Sequence, residues 1–287
     1  MEKTSEKSTV SVIIPTRNSG ATLSSCLQSV WKQTYPINEI IVVDDFSKDN
    51  TEEIARNLHA RIVQQRCNPA SARNLGIVQS NGKYVLFQDS DQILSQTIIE
   101  ECVRKCENEQ AGMVRIPEAF IGKAFWGKCS ATWKNCYQRV EQKYKGRANV
   151  FVGEPRFFVR EYLLQVGMLN SALTWGEDYD LHERLRNAEV REARCESCIY
   201  HLESDTLRSI VVKSLRYAGS MPAFVSETRK HVFSGMFTHA FLTLREVFED
   251  SARYPAVIVG CLVLLSLKAY TMIVTLPFGL RVLVNRR

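Results

Sequence analysis

The sequence predicts an α/β protein with a helix-flanked sheet, followed by a C-terminal helical region that associates with a membrane. Two observations carry this prediction. Short β-branched segments alternate with amphipathic helical segments up to Cys106, an order typical of a parallel sheet with helices on both faces. Beyond Thr206 the sequence becomes first basic and then apolar. The length of 287 residues allows one or two domains.

The predicted elements follow one another at short spacing. Strands are expected where β-branched or apolar residues run together, and helices where apolar residues recur at helical spacing. We expect strands over 10–14, 39–43, 61–63, 83–88 and 198–200, and helices over 21–32, 51–58, 69–79, 96–106, 125–145 and 177–188.

Composition excludes several classes of protein. Apolar residues make up 45% and charged residues 24% of the chain, which is ordinary for a globular domain. The net charge of +6 permits an anionic partner but does not indicate nucleic acid, so no nucleic-acid partner is expected. The nine cysteines and the absence of a secretory pattern predict reduced thiols in the cytosol. The lone Cys195-x-x-Cys198 pair is interpreted as buried thiols rather than a zinc site.

The C-terminal region carries the membrane prediction. Residues 256–280 are almost continuously apolar but are interrupted by Lys268. A single span needs about 20 apolar residues, so the alternatives are one span that tolerates Lys268, an interfacial or re-entrant hairpin, and a buried core helix. Flanking basic residues favour cytosolic ends. We predict a polar lead over 1–9, an α/β domain over 10–205, a basic amphipathic helical region over 206–255 and a hydrophobic tail over 256–287.

Acidic residues follow two of the predicted strands. Asp44 and Asp45 come after one strand, and Asp89 and Asp91 after another. Ligands of open α/β sheets bind beyond these strand ends, and paired carboxylates need a cation or hydrogen-bond donors nearby. In an extended chain Asp89 and Asp91 would face the same way. That arrangement suits Mg²⁺ or Mn²⁺, bound through carboxylates and phosphate oxygens.

A second acidic pair, Glu177 and Asp178, opens the predicted helix over 177–188. Acidic residues in a first helical turn stabilise the helix through its dipole. The same position would keep a carboxylate ionised and ready to act as a general base. The residues alone leave both interpretations open.

Five segments resemble family 2 glycosyltransferases with a GT-A fold, in the order found in that family. They are 12–16 (VIIPT), 42–51 (VVDDFSKDNT), 68–77 (NPASARNLGI), 89–91 (DSD) and 176–181 (GEDYDL), and the resemblance is close over roughly 9–203. It implies a Rossmann-like mixed sheet of GT-A type and transfer of a sugar from a nucleotide-diphosphate sugar, most simply a UDP-sugar, with Mg²⁺ or Mn²⁺ as cofactor. Phe46 stands where the family usually has glycine.

The resemblance also implies roles for individual residues. Asp178 matches the catalytic base, with Glu177 and Trp175 beside it in the acceptor site. Asp91 matches the metal ligand, and His201 resembles a late histidine that reaches the metal or diphosphate in some members. The implied donor-binding residues are Pro15, Thr16, Asp44, Asn68, Arg73, Asp89 and Ser90.

The expected reaction is an inverting transfer to a hydroxyl of a glycan that is lipid-linked at the cytoplasmic face of a membrane. A hydroxyl needs a general base, whereas a lipid phosphate is already anionic. The alternatives are a polyprenyl-phosphate glycosyltransferase and a non-catalytic nucleotide-sugar-binding membrane scaffold. The loop after the first strand lacks the glycine-rich patterns of dinucleotide oxidoreductases and nucleotidyltransferases, which argues against both classes.

Overall fold

The structure is a computed structural model that describes residues 8–143, 155–173, 176–218 and 231–284. Its contacts divide the chain into two compact units. The first unit comprises the described residues of Met1–Pro117, Glu154–Ala172 and Glu177–Tyr200, and the second those of Glu118–Gly153, Leu173–Gly176 and His201–Arg287. The four-part division expected from the sequence stays a prediction.

Ten strands are assigned along the described chain. In chain order they are β1 (Val10–Thr16), β2 (Glu39–Asp44), β3 (Arg61–Gln64), β4 (Tyr84–Phe87), β5 (Gln92–Leu94), β6 (Met113–Arg115), β7 (Glu118–Ile121), β8 (Pro155–Val159), β9 (Glu192–Arg194) and β10 (Ile199–Leu202).

Ten helices are assigned along the described chain. They are α1 (Leu23–Trp31), α2 (Thr51–Asn57), α3 (Pro69–Gln79), α4 (Ile98–Asn108), α5 (Phe125–Lys143), α6 (Arg160–Gln165), α7 (Glu177–Asn187), α8 (Leu207–Ala218), α9 (His231–Asp250) and α10 (Pro255–Val284). The six that were predicted with bounds, α1 to α5 and α7, begin and end within two residues of the predicted positions.

The first unit is built on a seven-stranded sheet in the order β3-β2-β1-β4-β8-β6-β9. Strands β1 to β4 pair in parallel, as the alternating pattern predicts. β8 is antiparallel to both β4 and β6, so the sheet as a whole is mixed, which confirms the mixed sheet that the family resemblance implies. The β8 segment reaches the sheet without the strand–helix–strand alternation on which the parallel prediction rested.

Both faces of this sheet are buried. Val12 and Ile14 of β1 pack into one apolar cluster, whereas Ile13 between them packs into another with Phe87 and Phe158. Successive side chains of a strand point to opposite faces. A strand that is covered on both faces therefore has a continuous apolar sequence, as β1 and β2 do.

Helix α3 lies close against β1 because Gly76 has no side chain. A Cβ added at Gly76 would stand 2.3 Å from Cγ2 of Ile13, a contact that only glycine avoids. The helix begins at a capping box in which the Asn68 side chain accepts from the Ser71 backbone N–H at 2.9 Å. These two features fix the position of Arg73, which lies between them on α3.

The second unit is mainly helical. Its buried cluster brings together residues of α5, α8, α9 and α10, namely Cys129, Cys136, Ile210, Val247, Cys261 and Leu264. The two apolar halves of the C-terminal region form one continuous helix, α10, rather than the hairpin that was one alternative. Among the residues that the structure describes, no helix combines the length and apolarity needed to cross a membrane.

Candidate functional site

The first group of site residues lies at the carboxyl ends of β1 and β2. Thr16 and Asp44 are register partners, and the Thr16 hydroxyl donates to Asp44 Oδ1 at 2.9 Å. The Ser47 N–H donates to Asp44 Oδ2 at 2.9 Å, and the Ser47 hydroxyl donates to Oδ1. Asp44 is fully buried. A carboxylate accepts about four hydrogen bonds, so these three donors hold Asp44 in place and leave one of its acceptor positions unused.

Asp45, the second acidic residue of this pair, is compensated by two arginines. Its carboxylate lies 2.9 Å from Arg17 Nη1 and 3.5 Å from Arg66 Nη1. Phe46 follows with a φ of 45°, in the left-handed region that favours glycine. The Arg66 guanidinium lies over the Phe46 ring, 5.1 Å from the ring centroid. The expectation that this acidic pair needs nearby donors is confirmed.

Arg73 connects acidic residues from two distant parts of the sequence. Its Nη2 donates to Asp89 Oδ1 at 2.8 Å and its Nη1 to Glu177 Oε1 at 3.0 Å. Arg156 of β8 lies 3.3 Å from the other oxygen of Asp89. The buried Nε of Arg73 has no hydrogen-bond partner among the residues that the structure describes. A buried donor of this kind suits a ligand oxygen.

The segment around Asp89 differs from its expected conformation. A hydrogen bond from Gln92 N to Asp89 O, at 3.0 Å, closes a turn over Ser90 and Asp91. The extended conformation from which we inferred that Asp89 and Asp91 face the same way is therefore wrong, and their shared ligand stays a prediction. The Asp89 carboxylate contacts two arginines, whereas Asp91 lies partly buried in the turn before β5.

Glu177 and Asp178 have opposite environments, although they are adjacent. Glu177 is buried and bound to Arg73. Burial, followed by the neighbouring Asp178 carboxylate, raises the pKa of Glu177, and Arg73 opposes the shift. Asp178 is exposed, and it lines a cavity with Arg73 and Arg156. Of the two acidic residues, Asp178 is the one that an acceptor can reach.

His182, one turn further along α7, lines the same cavity. Its Nε2 is 2.7 Å from Glu192 Oε2, and Arg115 Nε donates to the other oxygen of Glu192 at 2.8 Å. Burial acts to raise the pKa of Glu192, but hydrogen bonds from His182 and Arg115 lower it to about 2. These contacts hold the His182 ring in place at the cavity. Its lining is completed by Phe87, Pro155, Phe158, Leu169 and Leu181.

Several residues predicted to bind donor or acceptor make contacts within the fold instead, or lie outside the described residues. The Asn68 side chain caps α3 and donates from Nδ2 to Ser171 O at 2.8 Å, while the Ser90 and Ser19 hydroxyls are 2.8 Å apart. Pro15 is partly buried next to Thr16 in β1. Trp175 lies outside the described residues. The ligand roles of these residues stay predictions.

His201 belongs to the second unit. Its Nδ1 lies 3.1 Å from Glu118 Oε2, and its ring stacks on Phe120 with centroids 5.1 Å apart. Throughout the described ranges, no three His, Cys, Asp or Glu side chains are grouped as a ready cation site. A metal-binding role for His201 therefore stays a prediction without support from its contacts.

Two residues of the site were missed in the sequence. Arg156 reaches the site because β8 pairs with β4 in the sheet. No local sequence pattern predicts this antiparallel pairing. His182 belongs to it because residues four apart lie on one helix face. The four-residue spacing from Asp178 to His182 is therefore the signal in the sequence that indicates His182.

Comparison with known proteins identifies the family. The sequence profile of glycosyl transferase family 2 matches residues 11–167, which include β1 to β8 and the residues from Thr16 to Arg156 described above. The chain belongs to glycosyl transferase family 2. The match ends before Glu177 and Asp178, so their assignment depends on the geometry.

Curated relatives match over part of their length. The chain is 35% identical over 112 residues to glycosyltransferase GlyG of Streptococcus pneumoniae, covering 37% of each chain. It is 41% identical over 97 residues to an uncharacterized glycosyltransferase, YibD, of Escherichia coli, covering 32% of this chain and 28% of that one. The chain thus spans about a third of the length of these relatives.

Solved structures share the fold of this chain. Mannosyltransferase PcManGT of Pyrobaculum calidifontis, solved with GDP-Man and Mn²⁺, aligns with a TM-score of 0.62 at 18% identity over 96% of this chain and 88% of that one. Staphylococcus aureus TarS 1-349 with UDP-GlcNAc aligns with a TM-score of 0.53 at 17% identity, over 84% and 73%. At these identities the likeness establishes the GT-A fold alone.

Proposed function

We propose that this glycosyltransferase carries out an inverting transfer of a sugar from a UDP-sugar to a hydroxyl of a glycan acceptor. The observation that carries the proposal is the cavity shared by exposed Asp178 and the arginines Arg73 and Arg156. A base candidate and two guanidinium groups that can face a diphosphate thus border the same space. Inversion requires such an arrangement, because the acceptor attacks from the side opposite the leaving nucleotide.

Asp44 and Thr16 would hold the nucleoside. Asp44 is rigidly positioned by Thr16 and Ser47 and retains an acceptor site for an N–H of a base. Arg73, with its buried Nε, would face the diphosphate. Arginine suits this task because its charge is permanent and its donors are arranged in a fixed fork. Asp89 keeps Arg73 and Arg156 in place and prevents the two cations from repelling each other.

Asp91 fits a role in holding Mg²⁺ or Mn²⁺. Asp91 is the carboxylate of the DxD segment that matches the metal ligand of the family, whereas both oxygens of Asp89 contact arginines. Magnesium is commonly bound through one or two carboxylates with substrate phosphates completing the shell. When bound, the ion supplies Lewis-acid stabilisation of charge on the leaving diphosphate. The Mn²⁺ found with the fold relative PcManGT is consistent with this role.

Asp178 would remove the proton from the acceptor hydroxyl as that oxygen attacks the anomeric carbon. General-base assistance contributes roughly 10²–10⁴-fold to such a step. Glu177 would act differently, since its carboxylate is buried against Arg73. It links the start of α7 to the Arg73–Asp89 group and so positions Asp178.

The acceptor is proposed to be lipid-linked at the cytoplasmic face of a membrane. The support is the apolar surface of α10, where Val259 and Tyr270 are 59% and 63% exposed. An exposed apolar helix suits an interfacial position. A hydroxyl acceptor also gives Asp178 a task that an anionic lipid phosphate would not require.

Release of nucleotide from UDP-, GDP- and dTDP-sugars, each with Mg²⁺ or Mn²⁺ and with soluble or lipid-linked glycans, tests the proposal. We expect turnover with a UDP-sugar and a glycan acceptor, with inversion at the anomeric carbon in the product. Turnover only with a polyprenyl phosphate would contradict the acceptor. Donor binding without turnover on any acceptor would instead indicate a non-catalytic scaffold.

A further inference from the structure

Phe46 adopts a backbone conformation that is strained for a bulky side chain. Its φ of 45° lies in the left-handed region that favours glycine. Four of the five other non-glycine residues with positive φ, among those that the structure describes, lie within three residues after the end of a helix: His59, Gln110, Met168 and Glu189. Helices commonly close in this conformation, and the fifth residue, Asn18, belongs to a type that tolerates it. Phe46 follows strand β2, so helix closure does not explain its conformation.

Hydrogen bonds from the neighbouring residues hold Phe46 in this conformation. The Ser47 N–H donates to Asp44 Oδ2 at 2.9 Å, and the Asn18 N–H donates to Ser47 Oγ at 2.7 Å. The Lys48 N–H donates to Asn18 Oδ1 at 2.8 Å. Backbone strain persists only where the surrounding structure imposes it, and strained residues cluster at active sites and ligand clamps. The strain at Phe46 therefore indicates a binding role for its side chain.

The Phe46 side chain is exposed just beyond the carboxyl end of β2. Phe46 is 45% exposed, and the Arg66 guanidinium lies over its ring, 5.1 Å from the centroid. Arg66 is placed there by the pairing of β2 with β3, after which the Gln65 N–H donates to Asp44 O at 3.1 Å. An aromatic ring and a guanidinium group therefore meet beside Asp44, at the edge of the sheet where ligands of open α/β folds bind.

Asp45 holds Arg66 at the ring. The Asp45 carboxylate is 9% exposed and lies 3.5 Å from Arg66 Nη1, whereas the Arg66 side chain is 71% exposed. The buried carboxylate thus contacts one nitrogen of the guanidinium and leaves most of the Arg66 side chain open to a ligand. Flat rings stack on exposed aromatic side chains and on guanidinium groups, and the bases of nucleotides are ligands of this kind.

The order of the strands distinguishes the base from the other parts of the donor. β2 and β3 lie on one side of β1, whereas β4, which is followed by Asp89, and β8, which contains Arg156, lie on the other. Adjacent strands are about 4.8 Å apart, so the three strand spacings from β2 to β8 amount to about 14 Å. That distance leaves room for a ribose and a diphosphate between a base at Phe46 and a sugar at the Asp178 cavity.

We propose that Phe46 and Arg66 form a stacking surface for the base of the nucleotide donor. A glycine in place of Phe46 would relieve the strain but would also remove the ring. The inference rests on the proposed function in one respect, which is that the donor is a nucleotide sugar. Because every base has a flat aromatic face, this surface contributes affinity for any nucleotide and adds to the contacts proposed for Asp44 and Thr16.

Calorimetric titration of the full chain with UDP, GDP and dTDP in the presence of Mg²⁺ tests the inference, and urea denaturation of the same variants measures the strain. F46G and F46A both remove the ring, but only F46G relieves the strain. F46Y retains a ring of nearly the same shape. The matched controls are H59G and H59A, because His59 is also exposed and has a φ of 54° but lies beyond the end of α2.

We expect F46G and F46A to bind the preferred nucleotide roughly 5- to 150-fold more weakly than the unsubstituted chain, which is the contribution of stacking a base on an aromatic ring. F46Y should bind it nearly as tightly as the unsubstituted chain. R66K, which keeps a charge beside Asp45 but loses the planar guanidinium, should also weaken binding. F46G should unfold at a higher urea concentration than F46A, and H59G at a higher one than H59A, with nucleotide affinity unchanged in both His59 variants.

Unchanged nucleotide affinity in F46G and F46A, or an equal loss in the His59 variants, would overturn the inference and leave the proposed function intact. Equal stability of F46G and F46A would also overturn it, because Phe46 would then not be strained. Failure of the unsubstituted chain to bind any of the three nucleotides would overturn the proposed donor, and this inference with it.

Discussion

The two units use charged residues in different ways. In the first, charges alternate along defined contacts, such as Arg73–Asp89–Arg156 and Arg115–Glu192–His182. In the second, Lys134 of α5 forms an ion pair with Glu203. An alternating network fixes the orientation of each member, and this arrangement suits a site that positions reacting groups. The Lys134–Glu203 pair instead holds helix α5 to the segment that precedes α8.

The apolar cores of the two units also differ, in how firmly they hold their strands and helices. Strand β4 lies between β1 and β8, with backbone hydrogen bonds to both, and its side chains are buried on both faces of the sheet. The second unit packs thiols and aliphatic side chains between helices and leaves Phe241 and Val259 exposed. Chemistry that depends on placement within a fraction of an ångström belongs on the sheet, because strands clamped on both sides have little freedom to move.

The largest expected effect concerns Asp178. Replacing Asp178 by Asn should reduce the turnover number by roughly 10²–10⁴-fold, because the amide cannot accept the acceptor proton. Donor affinity should be nearly unchanged, since we propose that other residues, such as Asp44 and Arg73, bind the donor. Glu183→Gln, also on α7 and 41% exposed in its side chain, is the matched control and should retain activity. Steady-state kinetics and donor titration make the comparison.

A collapse of donor affinity in Asp178→Asn would contradict the proposed role. So would an equal loss of turnover in Glu183→Gln, because that outcome would indicate a general disturbance of α7. The chemistry of the first unit would then not depend on one precisely positioned carboxylate. The contrast between the two units would be lost.

The sequence predicted the parts of the site that depend on local order. The apolar runs of β1, β2 and β4 end at Thr16, Asp44 and Asp89, and parallel pairing brings such ends to one edge of the sheet. The start of α7 at Glu177 was predicted from helical spacing and acidic residues. These features depend on chain direction and periodicity, which are visible in one dimension.

The rest depends on contacts between distant residues. Arg156 reaches Asp89 only because β8 inserts antiparallel beside β4, a pairing that the order of elements did not indicate. The Asp89–Gln92 turn replaced the expected extended conformation, since a hydrogen bond within the segment and two arginines decide its shape. The adjacent Glu177 and Asp178 also acquired opposite exposure from tertiary packing, which no propensity describes.

The second prediction compares the two cores directly. Leu86 of β4 is fully buried, and Leu264 of α10 is 3% exposed. Leu-to-Ala changes in cores cost about 2–5 kcal/mol of unfolding free energy, and the cost grows with the cavity that remains. We expect Leu86→Ala to lie near the upper end, because β4 cannot move to fill the cavity, and Leu264→Ala near the lower end. Urea denaturation measures both.

Equal costs for these two substitutions would show that the helices of the second unit are as constrained as the sheet. Leu264→Met is a useful control because it nearly conserves volume and should cost less than about 1.5 kcal/mol. A larger cost for Leu264→Ala than for Leu86→Ala would reverse the comparison.

The third prediction compares how one buried group in each unit makes stability depend on pH. His239 is 1% exposed, its ring stacks on Tyr137 at 3.7 Å, and burial lowers its pKa from 6.5 to about 4. The unfolded chain binds this proton at higher pH than the folded chain does. Stability is therefore lost as pH falls from about 6.5 to 4, by up to about 3 kcal/mol. Glu192 in the first unit, with a pKa of about 2 instead of 4.5, contributes stability that is lost from about pH 4.5 to 2.

Thermal unfolding measured from about pH 6.5 to pH 2 tests which residue accounts for each loss of stability. His239→Phe keeps an aromatic ring beside Tyr137 but cannot be protonated, so its stability should fall less than that of the unsubstituted chain between pH 6.5 and 4. Glu192→Gln should instead flatten the curve below about pH 4.5. Parallel curves for His239→Phe and the unsubstituted chain would show that His239 does not carry this dependence.

The smallest expected effect concerns matched helix caps in the two units. Asn68 caps α3, with Ser71 three residues on, and Thr206 caps α8, with Ser209 three residues on. Each cap accepts a backbone N–H, at 2.9 Å in α3 and 3.2 Å in α8. Replacing a capping residue by Ala costs typically ~1 kcal/mol. Asn68→Ala should cost more than Thr206→Ala, because it also removes the hydrogen bond from Nδ2 to Ser171 O.

Asn68→Asp resolves the two contributions of Asn68. The carboxylate keeps the cap and favours the positive end of the helix, but it cannot donate to Ser171 O. If the cap dominates, Asn68→Asp should be nearly as stable as the unsubstituted chain in urea denaturation. If its stability falls to that of Asn68→Ala, the contact with Ser171 is what matters, and Asn68 chiefly ties α3 to the segment before α7. A loss of donor affinity in Asn68→Asp at unchanged stability would support the direct donor contact that the family resemblance implies.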